Sequence, residues 1–538
     1  MERFDVVIVG AGSAGSVLAD RLSEDGRLSV LVLEAGGRDR SLWVHMPVGY
    51  GKLFHHPRLN WRHRAEPQET LGGRRDYWPR GRVAGGSGSI NAMVYCRGLA
   101  GDFEDWEASG ARGWSWETAR ATFERLETQV CPKGSRRGDG KIHVTDVSRR
   151  AHPVGRRFFD ALGALQMPLC EDMNAPGAEG GSHYRINTRD GRRCGSGQAH
   201  LRPALRRRNV ALRTHAHVAH VTIAEGRATG VAYRWRGRDR HVAAGQVILA
   251  AGAVRSPQIL QLSGVGPGAL LSALGVETVV ANDNVGGWLQ DHIGVSYAFR
   301  ATVPTLNDVL GPLRGKLCAA LRYALRRDGP LSLSVNQCGG FFRSSPALHR
   351  PDQQLYFNPV TYTTARRGER TIIRPDPFPG FAISSQPTRP TSRGRIDARS
   401  PDPDEAPAIR PNSLATPEDE EAAVAGVALI RRIMEAPPLR RIAAGVVGVD
   451  LRALDRPEAM LDDFRARATT VFHPVGTCRM GSSPETAVTD ARLRVFGVEG
   501  LRVIDASAFP NVTSGNTNAP TMMLADRAAD LVLEDLRA

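Results

Sequence analysis

The stretch that decides the fold lies at the start of the chain and reads Asp5-Val-Val-Ile-Val-Gly10-Ala-Gly12-Ser-Ala-Gly15. A strand pattern over 5–9 enters a Gly-x-Gly-x-x-Gly turn, and a helix pattern follows over 16–24. Glycines in such a turn permit the tight bend, the close approach of a pyrophosphate and the contact between helix and strand, while the helix N-terminus faces the phosphates. The segment therefore predicts an α/β fold with a Rossmann-like dinucleotide-binding domain.

A second strand that ends in an acid supports this interpretation. The strand pattern over 29–34 ends at Glu34, nineteen residues beyond Gly15, where an acid binds a ribose hydroxyl of a dinucleotide. An ordinary glycine-rich turn would not account for the Glu34-Ala-Gly36-Gly37 that closes this strand. The motif does not separate NAD from FAD.

Composition excludes several classes of protein. The chain has 538 residues, of which 41% are hydrophobic and 24% charged, so it can bury a large core and is not disordered. No apolar run reaches the roughly 18 residues of a membrane-spanning helix, and the first residues lack the pattern of a signal peptide. The seven cysteines are odd in number and form no Cys-x-x-Cys pair, which favours a reducing cytoplasm over a disulfide framework. We assign no metal site.

The net charge of +15 comes almost entirely from arginine, because only four of the 71 basic residues are lysines. The arginines are spread along the whole chain, and no basic stripe with interleaved aromatic residues is present, as a nucleic-acid groove would require. We therefore expect no nucleic-acid partner. A weak attraction to anionic membrane surfaces stays open, so the expected location is cytoplasmic, with peripheral membrane association as the alternative.

Four further segments carry residues suited to binding and catalysis. They are Pro79-Arg-Gly-Arg-Val83-Ala-Gly85-Gly86-Ser-Gly88-Ser-Ile90-Asn91-Ala-Met93, Gly252-Ala-Val-Arg-Ser-Pro257, Phe472-His473-Pro-Val-Gly476-Thr-Cys478, and Asp505-Ala-Ser507 with Ser514-Gly515-Asn516-Thr-Asn518. Together with the N-terminal motif, these segments make the chain resemble the glucose-methanol-choline (GMC) oxidoreductases. The resemblance is closest to bacterial choline/alcohol dehydrogenase-like members and runs from Phe4 to about Ala529.

The resemblance implies two domains. A discontinuous FAD-binding domain would comprise residues 1–155, 195–300 and 465–538. A second, α+β substrate domain, built on a mostly antiparallel sheet, would comprise 156–194 and 301–464. Local signals agree, since 300–415 contain segments of alternating polarity and Thr416-Pro417-Glu418-Asp419 predicts a helix over 417–435.

The resemblance also implies FAD as the cofactor. The glycine turn would hold the pyrophosphate, Glu34 the adenosine ribose and Val218 the adenine, while residues 83–94 would face the isoalloxazine and the pyrophosphate. The residues assigned to the cofactor are Gly10, Gly12, Ser13, Ala14, Gly15, Glu34, Ala35, Val83, Gly86, Asn91, Met93, Val94, Val218, Ala251, Asp505, Asn516 and Thr517. Ile90 occupies the position where some members have a His joined covalently to the flavin, so we expect the FAD to be non-covalent.

The resemblance places the chemistry at His473 and Asn516. Removing a hydride from a carbinol carbon requires the hydroxyl proton to leave, and His is the side chain that titrates near neutral pH. Asn516 can hydrogen-bond the same oxygen and orient it without competing for the proton. We interpret the other histidines, including His292, as structural, and Cys478 as packing.

The implied activity is the FAD-dependent oxidation of a primary alcohol, aryl or aliphatic, to the aldehyde by hydride transfer to flavin N5. The electron acceptor stays open between oxygen and a quinone or dye-type acceptor, as do the alcohol and the oligomeric state. The alternatives are a flavin-dependent lyase or photodecarboxylase on the same scaffold, and a dinucleotide-binding protein without activity; the presence of both His473 and Asn516 argues against the last.

Two features bear on the substrate. Family members that oxidise choline typically have Glu where this chain has Gln337, so we expect neutral alcohols to be preferred over choline. An apolar lining for the substrate is one interpretation of the aromatic residues of the second domain, and core packing is the other. These residues are Phe341, Phe342, Phe357 and Tyr362.

Overall fold

The structure is a computed structural model that describes residues 2–367 and 370–537. The strands are β1 (Arg3–Val9), β2 (Val30–Glu34), β3 (His63–Arg64), β4 (Tyr77–Trp78), β5 (Glu127–Val130), β6 (Arg136–Arg137), β7 (Ile142–Thr145), β8 (Gly180–His183), β9 (Ile186–Arg189), β10 (Arg192–Arg193), β11 (Val210–Thr214), β12 (Ala216–Ala224), β13 (Arg227–Trp235), β14 (Arg238–Leu249), β15 (Val265–Gly266), β16 (Val280–Ala281), β17 (Ile293–Ala301), β18 (Cys338–Phe342), β19 (Gln353–Asn358), β20 (Tyr362–Arg367), β21 (Arg370–Pro375), β22 (Gly380–Pro387), β23 (Arg395–Asp397), β24 (Ala408–Arg410), β25 (Ala443–Val446), β26 (Thr469–Thr470) and β27 (Leu501–Val503). The α-helices are α1 (Ser13–Leu22), α2 (Leu42–His45), α3 (Tyr50–Leu53), α4 (Ala100–Ala108), α5 (Trp116–Leu126), α6 (Gly155–Ala164), α7 (Arg202–Ala204), α8 (Gly252–Leu262), α9 (Gly268–Leu274), α10 (Leu306–Leu310), α11 (Leu313–Arg326), α12 (Pro417–Glu435), α13 (Pro437–Arg440), α14 (Pro457–Arg467) and α15 (Asn518–Asp535).

The first large sheet confirms the predicted dinucleotide-binding fold. Its strand order is β11-β2-β1-β14-β13-β12, and β27 also pairs with β14. Strands β11, β2, β1, β14 and β27 run parallel, whereas β12, β13 and β14 form an antiparallel meander. The carboxyl ends of β1 and β2 therefore open at the same edge, which is where open parallel sheets bind ligands.

Both faces of this sheet are covered, and β1 shows why its sequence is continuously apolar. Val6 and Ile8 pack in the core beneath α1 and α15, while Val7 and Val9 pack on the opposite face with the β12–β13 meander. All four side chains are buried, since alternate residues of a strand point to opposite faces. A strand buried on both sides reads as an unbroken apolar run rather than an alternation.

The second large sheet confirms the α+β region. Its order is β25-β17-β22-β19-β18-β8, with β26 on β17, and the pairings of these strands are antiparallel. Helix α12 covers it and begins as predicted, because the Thr416 hydroxyl accepts the Asp419 N–H at 3.4 Å and Pro417 occupies the first turn.

The connections between the two sheets differ from the predicted domain boundaries. Strand β17 and strand β26 both belong to the antiparallel sheet, whereas the sequence had assigned 293–300 and 469–470 to the FAD-binding domain. A smaller sheet, β10-β9-β7-β5-β6, likewise spans the predicted boundary at 155. The reason is strand pairing between distant segments, since Ile293 pairs with Thr470 and Gly294 with Thr469. This short ladder brings the segment before residue 293 next to the segment after residue 470.

Two further expectations concern the whole chain. Within residues 2–367 and 370–537, no helix combines the length and the apolar character that a bilayer crossing requires. The seven cysteines, all in the described part of the chain, are unpaired, and Cys478 is buried in the core as predicted.

Candidate active site

One cavity of about 1120 Å³ extends from the glycine turn after β1 to His473. It exceeds the roughly 300–1,000 Å³ of most single small-molecule sites, so it has room for a dinucleotide together with a substrate. Glu34 and Val218 line one part of it, and His473 and Asn516 line another. The cavity thus joins the predicted cofactor residues to the predicted catalytic pair.

The glycine turn is built by close backbone approach. Gly10 has φ +103°, and a Cβ at this position would lie 2.5 Å from the carbonyl oxygen of Ala250. A Cβ on Gly15 would lie 1.9 Å from the carbonyl oxygen of Gly10, so this glycine permits the contact between α1 and β1. A Cβ on Gly12, the N-cap of α1, would lie 3.8 Å from the nearest backbone atom, so the helix N-terminus is open to the cavity.

Glu34 is the last residue of β2, and its buried carboxylate already accepts two hydrogen bonds from the backbone. Its Oε2 accepts the N–H of Ala11 at 3.0 Å and its Oε1 accepts the N–H of Gly36 at 2.7 Å. Burial raises the pKa of Glu34, while these two N–H donors oppose the shift. Each oxygen keeps a lone pair, so the carboxylate can still accept a ribose hydroxyl.

A second glycine loop closes over the first. Gly86 has φ +55°, and a Cβ here would lie 2.7 Å from the Cα of Gly12, so the two loops touch. Arg193 fixes the loop from behind: it donates to the carbonyl oxygens of Gly88 at 3.0 Å and Asn91 at 2.7 Å, and to Asn91 Oδ1 at 2.6 Å. Burial lowers the pKa of Arg193 to about 9. Arg193 was not predicted as part of this site, because nothing in the sequence near position 193 signals a contact with residues 88–91.

Most of the predicted cofactor residues line this cavity. They are Gly10, Gly12, Ser13, Ala14, Glu34, Ala35, Gly86, Asn91, Met93, Val94, Val218, Ala251, Asp505, Asn516 and Thr517. Two do not. Gly15 faces the backbone of Gly10, directly after β1, and Val83 is fully buried in the core behind the loop, where its carbonyl accepts the N–H of Gly86 at 2.7 Å.

Asp505 lies at the start of α8 rather than free in the cavity. Its Oδ2 accepts the N–H of Gly252 at 2.8 Å and the hydroxyl of Ser256 at 2.6 Å. Its Oδ1 accepts the N–H and the hydroxyl of Ser507 at 2.8 and 2.6 Å. Burial raises the pKa of Asp505 against these four donors. The carboxylate therefore joins the helix to the 505–507 turn and supplies negative charge to that wall.

The β17–β26 ladder places His473. His292 directly precedes β17, and the N–H of Val471, one residue after β26, donates to the carbonyl oxygen of His292 at 3.0 Å. Phe472 has φ +71°, a strained value for a bulky residue, and it turns the chain into His473. The N–H of His473 then donates to Asp291 Oδ1 at 2.7 Å, so both segments hold this backbone.

A chain of hydrogen bonds fixes which nitrogen of His473 carries the proton. The carbonyl oxygen of Thr388 can only accept, so His292 Nε2, 2.8 Å away, must donate to it. His292 Nδ1 is then an acceptor, and His473 Nδ1, 3.0 Å away, must donate to it. His473 Nε2 is left with its lone pair and faces Asn516 Nδ2 at 3.1 Å. The arrangement presents a basic nitrogen to the cavity.

The environment keeps both imidazoles neutral. Burial is the main reason that the pKa of His473 lies well below its usual 6.5, and the nearby His292 and Arg80 lower it further. Burial also lowers the pKa of His292 to about 4, although its bond to Thr388 opposes the shift. His473 is therefore ready to accept a proton at neutral pH. The sequence analysis had interpreted His292 as structural and missed this contact.

Asn516 is held from two sides. Its Oδ1 accepts the hydroxyl of Tyr356 at 3.3 Å, which leaves its amide to donate to His473. Asp102 anchors the chain two residues earlier, because its carboxylate accepts the N–H and the hydroxyl of Ser514 at 2.7 and 2.8 Å. At Gly515, φ is +84° and a Cβ would lie 2.6 Å from Cys96 Sγ. The loop thus requires glycine next to the Asn516 amide.

The part of the cavity near His473 is lined by aromatic side chains. Phe472 adjoins His473, Phe54 packs against Phe472, and Tyr356 contacts Asn516. The lysines of the whole cavity lining are Lys52 and Lys316. In the part of the chain that the structure describes, the carboxylates lining the cavity belong to Glu34 and Asp505, at the dinucleotide end. No described carboxylate of the lining is therefore available to a cationic substrate beside His473.

The structure places the residues that the sequence offered for the substrate, and it decides between lining and core packing for the aromatic ones. Gln337 does not line the cavity, because its side chain is buried and its Oε1 accepts the N–H of His152 at 2.7 Å. Phe341, Phe342 and Phe357 are core residues, whereas Tyr362 does line the cavity. To predict which residues line the cavity, one would need to know which face of each strand points toward the first domain. That depends on how the two domains pack, which the sequence does not show.

Comparisons with known proteins decide the family. Models described as GMC oxidoreductase match residues 4–294 and 390–525. The alcohol dehydrogenase (acceptor) of Pseudomonas putida is 38% identical over 98% of this chain and 96% of its own length. The mitochondrial choline dehydrogenase of Homo sapiens is 38% identical over 99% of this chain and 90% of its own. The chain belongs to the GMC oxidoreductase family.

Solved structures of GMC oxidoreductases have the same fold. Pyridoxine 4-oxidase from Mesorbium loti superposes with a TM-score of 0.87 at 28% identity, over 98% of this chain and 99% of its own. A formate oxidase of Aspergillus oryzae RIB40 superposes with a TM-score of 0.91 at 24% identity, over 100% of this chain and 99% of its own. This GMC oxidoreductase is an FAD-dependent enzyme that acts on CH–OH donors.

The residues present fit FAD. Gly12 and Ser13 offer the open α1 N-terminus to a pyrophosphate, and Glu34 offers an acceptor to a ribose hydroxyl. His63 lines the same cavity, and its buried Nε2 has no hydrogen-bond partner among the described residues. Such an atom requires a polar ligand or water. Ile90, at the position of the covalent His of some members, lines the cavity as an aliphatic side chain.

Proposed function

We propose that this enzyme oxidises a primary alcohol to the aldehyde, with His473 as the base and Asn516 as the group that orients the hydroxyl. The observation that carries the proposal is the unprotonated Nε2 of His473, fixed by the chain of hydrogen bonds to His292 and Thr388. The names of the two relatives, an alcohol dehydrogenase and a choline dehydrogenase, support an alcohol as the substrate class.

The two side chains act on the same oxygen. The alcohol O–H donates to His473 Nε2 in place of the Asn516 amide, and its oxygen accepts from Asn516 Nδ2, which Tyr356 holds in that orientation. When bound, FAD would supply the hydride acceptor, its N5. As the proton leaves the alcohol, it forms a bond to His473 Nε2, so the carbinol carbon releases its hydride to form a C=O double bond.

The second histidine supports the charged state that this step creates. When His473 gains a proton, its Nδ1–H still donates to His292 Nδ1, and a hydrogen bond from a charged donor is stronger than one from a neutral donor. His292 stays neutral because burial holds its pKa at about 4. It therefore acts as a positioning residue, since it lies outside the cavity lining and acts through its bond to His473.

The lining favours a neutral alcohol with an apolar body over choline. Phe54 and Phe472 offer apolar surface beside His473, while Lys52 and Lys316 repel a trimethylammonium group. Choline is the substrate in the name of the human relative, but the position proposed from the sequence to recognise it, Gln337, lies outside the cavity. The preference therefore rests on the lining itself.

The test is anaerobic reduction of the enzyme-bound flavin by a panel of alcohols that includes benzyl alcohol, aliphatic primary alcohols and choline. The proposal expects the absorbance of oxidised flavin to bleach with neutral alcohols and the aldehyde to form in equal amount. It also expects the specificity constant for choline to be lower than that for the best neutral alcohol. Admission of air then shows whether oxygen reoxidises the flavin. No bleaching with any alcohol would refute the proposal and favour a lyase.

A further inference from the structure

Helix α11 exposes most of its surface. Ala319 and Tyr323 are its buried residues. The leucines of the helix are 72%, 60%, 61% and 75% exposed, and they are Leu313, Leu317, Leu321 and Leu325. Single exposed leucines are ordinary, but a contiguous apolar surface on a folded protein marks a contact surface.

The leucines form one stripe on a basic helix. They repeat every four residues, so on a helix roughly 21 Å long they cover a face about 120° wide. Between Asp308 and Asp328 the chain has no acid, and its basic residues are Arg314, Lys316, Arg322, Arg326 and Arg327. Among the ion pairs of the described residues, Arg322 binds Asp328 and the other four have no carboxylate partner. The helix is thus apolar on one face and cationic beside it.

The same helix forms part of the mouth of the active-site cavity. Lys316 and Ala320 are exposed and line the cavity from α11. Two exposed aromatic residues line it from other elements, Trp43 of α2 at 40% and Tyr362 of β20 at 51% exposure. The exposed part of the cavity lining therefore includes residues of α11 and these two aromatic side chains.

We propose that α11, together with the exposed Trp43 and Tyr362 of the cavity lining, is a docking surface for an anionic lipid bilayer. A helix with a wide apolar face and a basic border lies in the plane of the membrane interface, with its leucines among the acyl chains and its cations at the phosphates. Tryptophan and tyrosine are the aromatic residues enriched at that depth. The overall charge of +15 adds long-range attraction to an anionic surface.

Charge argues against a second copy of this chain as the occupant. A symmetric dimer through α11 would place the same patch against itself. The unpaired Arg314, Lys316 and Arg326 of one copy would then face those of the other without any acid of the helix to offset them. An anionic bilayer provides the opposite charge and an apolar layer for the leucines.

Docking in this orientation has a consequence for the reaction. The mouth lined by Lys316 and Trp43 would open at the membrane interface, so an apolar alcohol dissolved in the bilayer could enter without crossing bulk water. This consequence rests on the proposed function, whereas the docking itself does not. The experiment therefore measures binding without turnover.

The experiment is flotation of the FAD-loaded enzyme with phosphatidylcholine vesicles, with and without phosphatidylglycerol. We expect binding to the anionic vesicles, weaker binding to the neutral ones, and loss of binding at high salt. The double variant Leu317→Gln/Leu321→Gln should reduce the partition coefficient by about tenfold or more, because it removes apolar surface from the bilayer. Arg314→Gln/Arg326→Gln should reduce the preference for anionic lipid.

A matched control removes two exposed leucines elsewhere, in Leu169→Gln/Leu536→Gln, which should bind vesicles as the wild type does. Turnover of a water-soluble alcohol should be the same in all these variants, since none of the substituted residues lines the cavity. The proposal is overturned if the wild type does not bind anionic vesicles, or if the α11 variant binds as well as the control. It is also overturned if sedimentation shows that the α11 substitutions convert a dimer to a monomer.

Discussion

The hydrogen bond from His473 to His292 predicts a pair of variants with opposite outcomes. In His292→Leu the acceptor of His473 Nδ1–H is lost, so the tautomer is no longer fixed and the charged form loses its partner. In His292→Asn the amide oxygen can occupy the position of the lost Nδ1 and still accept from His473, which is 3.0 Å from that atom. Both variants shorten the side chain and lose the bond to Thr388, so they differ mainly in the acceptor.

The expected magnitude follows from the type of hydrogen bond. Removing the partner of a charged, buried donor costs about 1.5–3 kcal/mol. This range applies here because the side chains of His292 and His473 are both buried. Because each 1.36 kcal/mol is a factor of ten, His292→Leu should slow flavin reduction by about 10- to 150-fold. His292→Asn should recover most of this loss.

The assay is stopped-flow reduction of bound flavin at saturating alcohol without oxygen, measured across pH. His292→Leu should lower the limiting rate and shift its pH dependence, while the flavin spectrum and the melting temperature report on the fold. A structural role alone would lower stability in both variants without separating their rates. Equal rates in His292→Leu and the wild type would show that the contact does not position the base.

Three further predictions concern the same site. His473→Ala should slow flavin reduction by about two to four orders of magnitude while FAD stays bound. Asn516→Ala should slow it less, because it removes the orientation of the hydroxyl rather than the proton acceptor. A His473→Ala enzyme as fast as the wild type would reject His473 as the base. Burial, His292 and Arg80 hold the pKa of His473 below 6.5, so the reactive neutral form should predominate above that pH. The rate of flavin reduction should therefore be level above about pH 7 and fall in acid. A rate that still rises steeply between about pH 7 and 9 would contradict this. Acid precipitation should release intact FAD into the supernatant, since Ile90 offers no nucleophile for a covalent bond, and flavin retained in the pellet would show otherwise.

The sequence alone determined the parts of the fold that depend on neighbouring residues. The strand, glycine turn and helix, which the structure has over 3–22, were predicted because the turn needs the positive φ of Gly10 and because Gly15 lies against the carbonyl oxygen of Gly10 within the same unit. Helix α12 was predicted from Thr416 and Pro417 for the same reason, since a cap acts within one turn. Recognition of the family and of FAD likewise rested on motifs that are continuous in the chain.

Only the tertiary structure decided how distant segments meet. His292 and His473 are 181 positions apart, and the ladder between β17 and β26 brings them into hydrogen-bond contact. Arg193 reaches the glycine loop, and Gln337 faces His152 rather than the cavity, through packing that no local pattern encodes. A local motif specifies its own backbone, whereas the partner of a buried polar group depends on which strands pair across the chain. The tautomer of His473 is therefore a property of the folded molecule.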